Sequence, residues 1–567
     1  MKKLLIIITI LSFLRSSAQE KYFSAPLKIP LLLSGSFAEL RSNHFHSGMD
    51  IKTLGVTGQA VSAVAAGYIS RISISPTGFG NAIYINHPNG TTTVYGHLLK
   101  FRDDIQQYIR NIQYERKSFQ VDVKLLPAIF PVQKDEWIAL SGDTGSSGGP
   151  HLHFEIRDTQ TEEPLNPLDF GFNIIDKTPP TFSGLQITPL SDSSQVDFEP
   201  YKKIYQLAFY DGKYHIVNNP VVLVYGDIGF AFEAYDYFDG SPNRCGVSSI
   251  QLKIDGELYF SMNLHRFSYD ETRYINSFID YDDLINKKRK FQKTYIDPGN
   301  LLSMYDFNKN NGVFPAIDNK VHRVDIETED AYGNCSILTF KIESNYRKIP
   351  VIPEKETTHF YWNKTNYFTD DSVELEIPKG NLFDSFNFRY QKFPPEKGYL
   401  SDLYQLDENT IPLFTGANLK IKPVNLNENL RDKSLLVTID PVTGKNWSVE
   451  SKYEKGWISG EINVLGLYAV CVDTIAPVIK PLSIADKNSL TEKNRIRFII
   501  TDDLSGINKI EGYLDGKWAL FEYDQKNNLI THNFDTKRFE MNKQHQLKLT
   551  ITDNKNNVAV YEATFWK

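Results

Sequence analysis

The chain has 567 residues, several times the length of a typical domain, so we expect three or four separately packed units rather than one core. Aromatic residues make up 13% of the sequence and only 5 residues are Met, a balance that favours β-structure because flat and branched side chains fit a pleated surface. The formal net charge of −7 excludes the strongly basic surface that is typical of a nucleic-acid-binding protein.

The first 18 residues have the pattern of a secretory signal peptide. Lys2 and Lys3 form a positive end, Leu4–Leu14 form an apolar run, and Ser16–Ala18 supply small residues at a cleavage point. Removal of this segment takes away three basic residues and no acidic one, so the formal charge of the mature chain becomes −10. The apolar run is shorter than the ~20 residues of a membrane-spanning helix, and no later run is longer. We therefore predict an exported protein without a transmembrane segment, located in the periplasm or at the cell surface.

The stretch from residue 25 to residue 172 concentrates the polar chemistry of the chain. It holds six of the 12 histidines, which are His44, His46, His87, His97, His151 and His153. Runs rich in Val, Ile, Thr and Tyr at 60–74 and 81–95 are bounded by Gly and Pro and predict short antiparallel strands. Apolar residues at helical spacing behind two Asp residues predict a short amphipathic helix over 103–116.

Three short motifs in this stretch carry residues that bind metals. His46 and Asp50 lie four residues apart around a glycine, which predicts a turn or strand end that can fold both groups onto one point. His97 lies in the sequence Tyr-Gly-His-Leu at another strand end. His151 and His153 lie two residues apart, so on a strand both project to one face, and either could be a ligand. Two His and one Asp are a ligand set typical of a catalytic zinc site, which leaves a fourth position open to water.

Together these motifs resemble the signature of the lysostaphin-like (LytM-type) murein endopeptidases. The sequences His-x-Gly-x-Asp, Tyr-x-His-Leu, Gly-x-Thr-Gly and Gly-Pro-His-Leu-His-Phe-Glu occur in that order. The resemblance implies a zinc metallopeptidase with His46, Asp50 and His153 as the metal ligands. It also implies that His97 and His151 are unligated catalytic histidines, either of which could be the general base.

The resemblance covers roughly residues 25–172 and extends to Arg41 and Asn43, which also suit the pattern. The chain departs from the pattern between Leu98 and Val132, where an insertion of about two dozen residues includes the predicted helix. We expect this insertion to lie beside the cleft, where it would influence substrate preference.

The sequence beyond residue 175 contains an internal repeat. Residues 246–256 match 506–516 without a gap, and residues 322–334 match 545–557 at a constant offset. The alternation of apolar residues and the spacing of turns indicate a β-sandwich in both copies, and both resemble immunoglobulin-like modules. The first copy carries a long insertion.

The sequence therefore predicts four domains behind a signal peptide. The signal peptide covers 1–18. The four domains are a lysostaphin-like zinc peptidase domain at 19–175, an immunoglobulin-like β-sandwich with an insertion at 176–346, a β-rich domain of unknown type at 347–472, and a second immunoglobulin-like β-sandwich at 473–567. The predicted fold class is mainly all-β. It combines an antiparallel β-sheet metallopeptidase domain, which has a short helical insertion, with β-sandwich domains that follow it.

The three cysteines of a secreted chain cannot all pair with one another. Cys245 and Cys335 lie in one predicted domain, so they either form a disulfide or remain free and buried together with Cys471.

The resemblance implies hydrolysis of peptide cross-links in peptidoglycan outside the cytoplasm, with one Zn²⁺ per chain and no nucleic-acid partner. The β-domains would position the peptidase, restrict access to its cleft, or bind other proteins of the cell envelope. A second hypothesis is a catalytically silent scaffold that binds the cell wall or activates another wall hydrolase. Relatives of that kind usually lose zinc ligands, whereas this chain keeps all three.

Overall fold

A computed structural model describes residues 21–348, 358–535 and 537–567, so the predicted signal peptide at 1–18 lies outside the described residues. About 48% of the chain is strand and 9% is helix, and most strand pairs are antiparallel, which confirms the predicted all-β class. Within the described ranges, every helix is too short or too polar to span a bilayer.

The N-terminal domain is built on a nine-stranded antiparallel sheet with a smaller three-stranded sheet beside it. In the large sheet the main order of strands is 33–35, 49–52, 151–158, 91–96, 81–86, 67–74 and 121–124. The strands of the domain are Leu33–Gly35, Leu40–Arg41, His44–Phe45, Met49–Lys52, Ala60–Ser62, Gly67–Ile74, Asn81–Asn86, Thr91–Gly96, Lys100–Phe101, Val121–Lys124, Pro131–Val132, Trp137–Leu140, His151–Asp158 and Pro164–Leu165. A short 3-10 helix follows at Pro167–Phe170.

The helix predicted in the insertion is confirmed and spans Asp103–Arg116. Its first turn carries Asp103 and Asp104, whose negative charges interact favourably with the positive end of the helix dipole. Ile105 and Ile109 are fully buried, so the helix packs its apolar face on the sheet domain and leaves its polar face outward. It ends at Lys117, which adopts a left-handed conformation.

The second predicted domain holds a 13-stranded sheet system. Its strands are Thr181–Pro189, Gln195–Val196, Lys203–Tyr205, Leu207–Tyr210, Lys213–Ile216, Val221–Tyr235, Ser249–Ile254, Glu257–Asn263, Gln292–Lys293, Tyr305–Asn308, Phe314–Ala316, Val321–Glu329 and Cys335–Ser344. Its helices are Tyr269–Tyr274 (3-10), Ile275–Phe278, Tyr281–Lys287 and Asn310–Gly312 (3-10). The short helices lie within the long insertion that the sequence predicted in the first repeat copy.

The first two domains share their apolar cores. Phe37, Leu40 and Phe45 come from the N-terminal domain but are buried in the core of the second domain. Phe238 and Cys245 of the second domain are buried in turn in the core of the first. The two domains are therefore packed as one interlocked unit across residue 175.

Among the described residues, the third predicted domain contains two five-stranded sheets and one two-stranded sheet, and the fourth contains a four-stranded and a five-stranded sheet. The third has Thr358–Phe360, Asn366–Asp370, Val373–Ile377, Phe386–Phe388, Tyr390–Phe393, Leu403–Leu406, Pro412–Ile421, Ser434–Ile439, Asn446–Val449, Ser451–Glu454, Trp457–Val464 and Gly466–Val472, with a 3-10 helix at Glu428–Lys433. The fourth has Val478–Pro481, Asn488–Ser489, Arg495–Thr501, Ile507–Leu514, Lys517–Ala519, Glu522–Asp524, Leu529–Asn533, Gln544–Asp553 and Val558–Trp566, with a 3-10 helix at Gln525–Asn527.

The internal repeat reappears as the same turn in the second and fourth domains. Asp330 Oδ1 accepts hydrogen bonds from the backbone N–H groups two and four residues later, and Asp553 Oδ1 does the same, at 2.8–2.9 Å. The side-chain amides of Asn334 and Asn557 donate to the second carboxylate oxygen at 2.6 and 2.7 Å. The shared Asp and Asn therefore close equivalent turns between the last two strands of each copy.

The predicted option of a disulfide is wrong, because the structure contains three free cysteines among the described residues. Cys245 is buried and pairs through its backbone with Asp236, whereas Cys335 is exposed at the start of a different strand. The alternative of three buried thiols is also wrong for Cys335, although it is correct for Cys471.

We expect Asp553→Ala to destabilise the fourth domain, because the substitution leaves buried backbone N–H groups without their acceptor. The expected loss is about 2 kcal/mol or more of unfolding free energy. Calorimetry of the full chain should show the transition of this domain lowered by roughly 10 °C. Asp503→Ala, at an exposed position in another loop of the same domain, should leave the transition within about 2 °C, and equal shifts for both variants would contradict the explanation.

Candidate metal centre and active site

Strand register brings the candidate ligands together. The strand Met49–Lys52 pairs with His151–Asp158 so that Asp50 lies opposite His153. On its other side His153 lies opposite Gly96, and His97 follows directly at the end of that strand. Three segments that are distant in sequence thus meet in one row across the sheet.

His46 is fixed beside this row by the backbone on both of its sides. Its N–H donates to Glu39 O at 3.0 Å and its carbonyl accepts from Ala38 N–H at 2.8 Å. Gly48 follows, and a Cβ atom there would lie 2.3 Å from Phe154 O, so only glycine allows this close approach of the two segments.

The predicted ligand residues His46, Asp50 and His153 are buried and point at one another. Asp50 Oδ1 lies 3.1 Å from His46 Nε2 and 3.0 Å from His153 Nδ1. The two imidazole nitrogens lie 3.1 Å apart. One oxygen and two nitrogens therefore surround a common point.

The outer nitrogens of the two rings decide which atoms face that point. His46 Nδ1 lies 2.7 Å from Ser36 O, which can only accept, so this nitrogen carries the proton. His153 Nε2 lies 2.9 Å from Glu155 Oε1, a carboxylate oxygen that also accepts. In the neutral rings, His46 Nε2 and His153 Nδ1 then each carry a lone pair. These lone pairs face each other and the Asp50 carboxylate. A bound cation resolves this arrangement, and two imidazoles with one carboxylate suit zinc.

The electrostatics of the site favour positive charge at its centre. Burial opposes ionisation of Asp50, but the neighbouring histidines, His46 first, hold its pKa well below the usual range. Burial also opposes charge on His153, yet Asp50 and Glu155 together raise its pKa to about 9. A cation held by these side chains would supply the positive charge that the two carboxylates favour.

Arg41 orients the aspartate. Its guanidinium donates to Asp50 Oδ2 at 3.0 Å and to Glu39 Oε2 at 3.3 Å, which leaves Oδ1 of the aspartate to face the histidines. Asn43, the other residue that suits the family pattern, accepts a hydrogen bond at 2.9 Å from the side chain of Asn276 in the second domain.

The two predicted catalytic histidines lie beside the ligand group. The rings of His97 and His151 are 4.7 Å apart, and His151 Nε2 lies 3.4 Å from Asp50 Oδ1. His97 Nδ1 donates to Thr144 O and His151 Nδ1 donates to Gly149 O, both at 2.8 Å. Each ring therefore keeps its Nε2 lone pair available. Burial and the neighbouring histidines lower the pKa of His97 to about 3, so its ring is neutral at physiological pH.

A charged network behind His153 was not predicted from the sequence. Glu155 is fully buried and accepts from His153, from Ser47 Oγ and from Arg157 Nε, the last at 2.6 Å. Although burial opposes its charge, Arg157 and His153 lower the pKa of Glu155 to about 2. Tyr269 of the second domain donates to Glu155 Oε2 at 3.2 Å, and its ring lies 4.8 Å from the Arg157 guanidinium.

Glu155 lies in one of the motifs and could have been singled out by its spacing from His153. Tyr269 could not, because it is 114 residues further along the chain and no local pattern marks it.

Comparison with known proteins identifies two families along the chain. Residues 44–113 match the family described as Peptidase family M23, so the chain contains a metallopeptidase domain of that family in its N-terminal part. Residues 357–473, which cover most of the third domain, match the family described as Zu5-like domain.

The similarity to individual proteins is confined to part of each. An uncharacterized metalloprotease of Haemophilus influenzae is 31% identical over 140 residues, which cover 25% of this chain and 22% of that protein. DD-carboxypeptidase/endopeptidase Mpg of Neisseria meningitidis is 32% identical over 129 residues, which cover 23% of each. The chain thus matches less than a quarter of the length of these curated relatives.

Two of the solved structures that are similar to part of this chain are peptidases. The catalytic domain of lysostaphin from Staphylococcus simulans is 23% identical, with 25% of this chain and 91% of that chain covered and a TM-score of 0.19. A zinc-containing peptidase from Vibrio cholerae is 24% identical, with 25% of this chain and 39% of that chain covered and a TM-score of 0.18.

We expect His153→Ala to abolish zinc binding, because it removes one of the three candidate protein ligands. The wild-type chain should hold about one zinc per chain by elemental analysis, and the variant close to none. Asp50→Ala should give the same result and covers the case in which the first variant folds poorly.

The matched control is His44→Ala. His44 lies two residues before His46, but it is exposed and its Nδ1 binds only the nearby Ser42 O. This variant should keep the zinc content of wild type. Loss of zinc in His44→Ala, or full zinc content in both ligand variants, would refute the assigned site.

We expect Tyr269→Phe to weaken zinc binding by up to about tenfold, the low end of the range for groups that hold a metal ligand in place. The substitution removes the hydroxyl that donates to Glu155 while the ring remains. Competition with a chromophoric chelator measures the change. Tyr274→Phe, in the same short helix, is the control, since its ring stacks on Phe414 away from the site. Equal zinc affinity in the wild type, Tyr269→Phe and Tyr274→Phe would show that the Tyr269 hydroxyl does not support the site.

Proposed function

We propose that the protein is an exported zinc endopeptidase that hydrolyses peptide cross-links of peptidoglycan. The observation that supports this most strongly is the convergence of His46, Asp50 and His153 on one point, with His97 and His151 beside it. The name of the Neisseria relative, DD-carboxypeptidase/endopeptidase, supports cell-wall peptides as the substrate class. The motifs resemble those of murein endopeptidases, which agrees with that class.

We assign to the side chains of the site the roles that peptide hydrolysis requires. Zinc held by His46, Asp50 and His153 would lower the pKa of a bound water molecule and polarise a carbonyl oxygen. His97 and His151 each keep Nδ1 on a backbone carbonyl, so Nε2 is the atom that can accept the proton of the attacking water. As the new C–O bond forms and the C–N bond breaks, that proton passes to the leaving amine. Because Nδ1 of each ring is held by a carbonyl, only the histidine that has taken up the proton has an Nε2–H that can donate to the developing oxyanion.

Export is proposed from the first 18 residues, whose basic start, apolar run and small residues match a secretory signal. The mature chain would then act in the periplasm or at the cell surface. Its β-domains offer surface for proteins of the cell envelope.

The scaffold hypothesis requires a site that cannot act. All three candidate ligands and both neighbouring histidines are present and face one another, so no specific contact favours a silent protein. The hydrolase is therefore the function that we propose.

The direct test is to incubate the mature protein with purified peptidoglycan and identify the released fragments by mass spectrometry. We expect cleaved cross-links with the wild-type protein and none after a chelator removes the metal. His97→Ala and His151→Ala should each lower the rate by about 10²–10⁴-fold while zinc content is unchanged, because proton transfer is lost but the ligands remain.

His265→Ala is the control for these two variants, since His265 is exposed and contacts Asp169 away from the site. It should cleave at the wild-type rate. A zinc-loaded wild-type protein that releases no fragments, and that binds the wall equally well as His153→Ala, would refute the hydrolase and favour the scaffold.

A further inference from the structure

The C-terminal domain reaches back to the peptidase domain through Lys526. Its Nζ donates to Asp143 O at 2.5 Å, to Asp143 Oδ1 at 2.7 Å and to Ser147 O at 3.1 Å. An ammonium group has three protons, and here three oxygens of one loop are available to accept them. Contacts of a charged donor with a carboxylate are stronger than neutral hydrogen bonds.

The loop that Lys526 contacts, residues 142–149, also binds both candidate catalytic histidines. Thr144 O accepts from His97 Nδ1 and Gly149 O accepts from His151 Nδ1. The backbone of this loop therefore sets the orientation of both rings. On its other side the loop is held by Ser146 N–H, which donates to Gly78 O at 2.9 Å.

A second and separate contact docks the C-terminal domain on the inserted helix Asp103–Arg116. The rings of Tyr114 and Trp518 meet edge to face at 5.2 Å, and the guanidinium of Arg538 lies 4.3 Å from the centre of the Tyr114 ring. Arg110 pairs with Glu522 at 3.5 Å. The insertion, where this chain departs from the family pattern, is thus a platform for the last domain.

A cavity of about 790 Å³ lies between the two contacts, bordered by the inserted helix, the 142–149 loop and the C-terminal domain. The contact at Lys526 is therefore distinct from the contact at the helix. A substitution at Lys526 can release the loop while the aromatic and charged pairs on the helix keep the domain docked.

We propose that Lys526 is a positioning residue of the peptidase site, through which the C-terminal domain fixes the 142–149 loop and hence His97 and His151. This inference rests on the proposed function. Lys526 itself contacts neither the candidate ligands nor the two histidines, and acts only through the loop backbone. Misplacement of a catalytic group by about 1 Å costs up to about 100-fold in rate, and the bond to Gly78 retains part of the loop geometry.

The test compares Lys526→Met with wild type in the full-length mature protein. We expect kcat on peptidoglycan to fall by about tenfold with KM changed less than about twofold, because the proton-transfer groups lose their geometry while substrate contacts remain. Zinc content should stay at the wild-type level. Amide hydrogen exchange in the 142–149 segment should become about tenfold faster, because the loop opens more often.

Lys537→Met is the matched control at the same domain interface. Lys537 Nζ makes one contact of 3.4 Å, to Gln107 Oε1 on the inserted helix. This variant should leave both kcat and exchange of the loop unchanged. The proposal is overturned if Lys526→Met leaves loop exchange at the wild-type rate, raises kcat, or has no greater effect than Lys537→Met.

The two proposals can fail separately. If the wild-type protein cleaves no peptidoglycan, the hydrolase is refuted and with it the catalytic role of Lys526. If the wild-type protein cleaves but Lys526→Met cleaves equally well, the hydrolase stands and only the positioning role is refuted. Loop exchange gives a readout in either case that does not depend on activity.

Discussion

The register of three neighbouring strands is the constraint on which the site depends. His153 lies opposite Asp50 on one side and Gly96 on the other, so residues from distant parts of the chain form one row. A slip by one residue in either pairing would turn His153 to the opposite face of the sheet. Leu152 and Phe154 resist such a slip, because both are fully buried and would be carried to the polar face.

Support for the site comes from domains that carry no candidate ligand. Tyr269 in the second domain contacts the carboxylate that holds His153. Lys526 in the fourth domain contacts the loop that holds the other two histidines. The site is therefore built by one domain and braced from two sides, which gives the long C-terminal part of the chain a role close to the chemistry.

Sequence reasoning succeeded where the information is local. The helix Asp103–Arg116 was predicted to the residue because its apolar spacing and acidic start both lie within one short segment. His46, Asp50 and His153, which meet in the structure, could be proposed together because each motif is short and the spacing of His46 to Asp50 is fixed. The contacts of Tyr269 and Lys526 with the site were not predicted. Each contact joins residues more than one hundred positions apart, and no local sequence pattern marks either residue. The number of cysteines could not decide between a Cys245–Cys335 disulfide and free thiols, because pairing depends on where strands lie in space.

The shared cores of the first two domains decide how this protein can be divided. Phe37, Leu40 and Phe45 would become solvent-exposed in a fragment that stops at residue 175. The space that Phe238 fills in the core of the first domain would be left empty. Such a fragment carries the whole family signature yet lacks part of its hydrophobic interior, which favours aggregation. We therefore expect the peptidase domain to fold as a stable fragment only when the neighbouring β-domain is included.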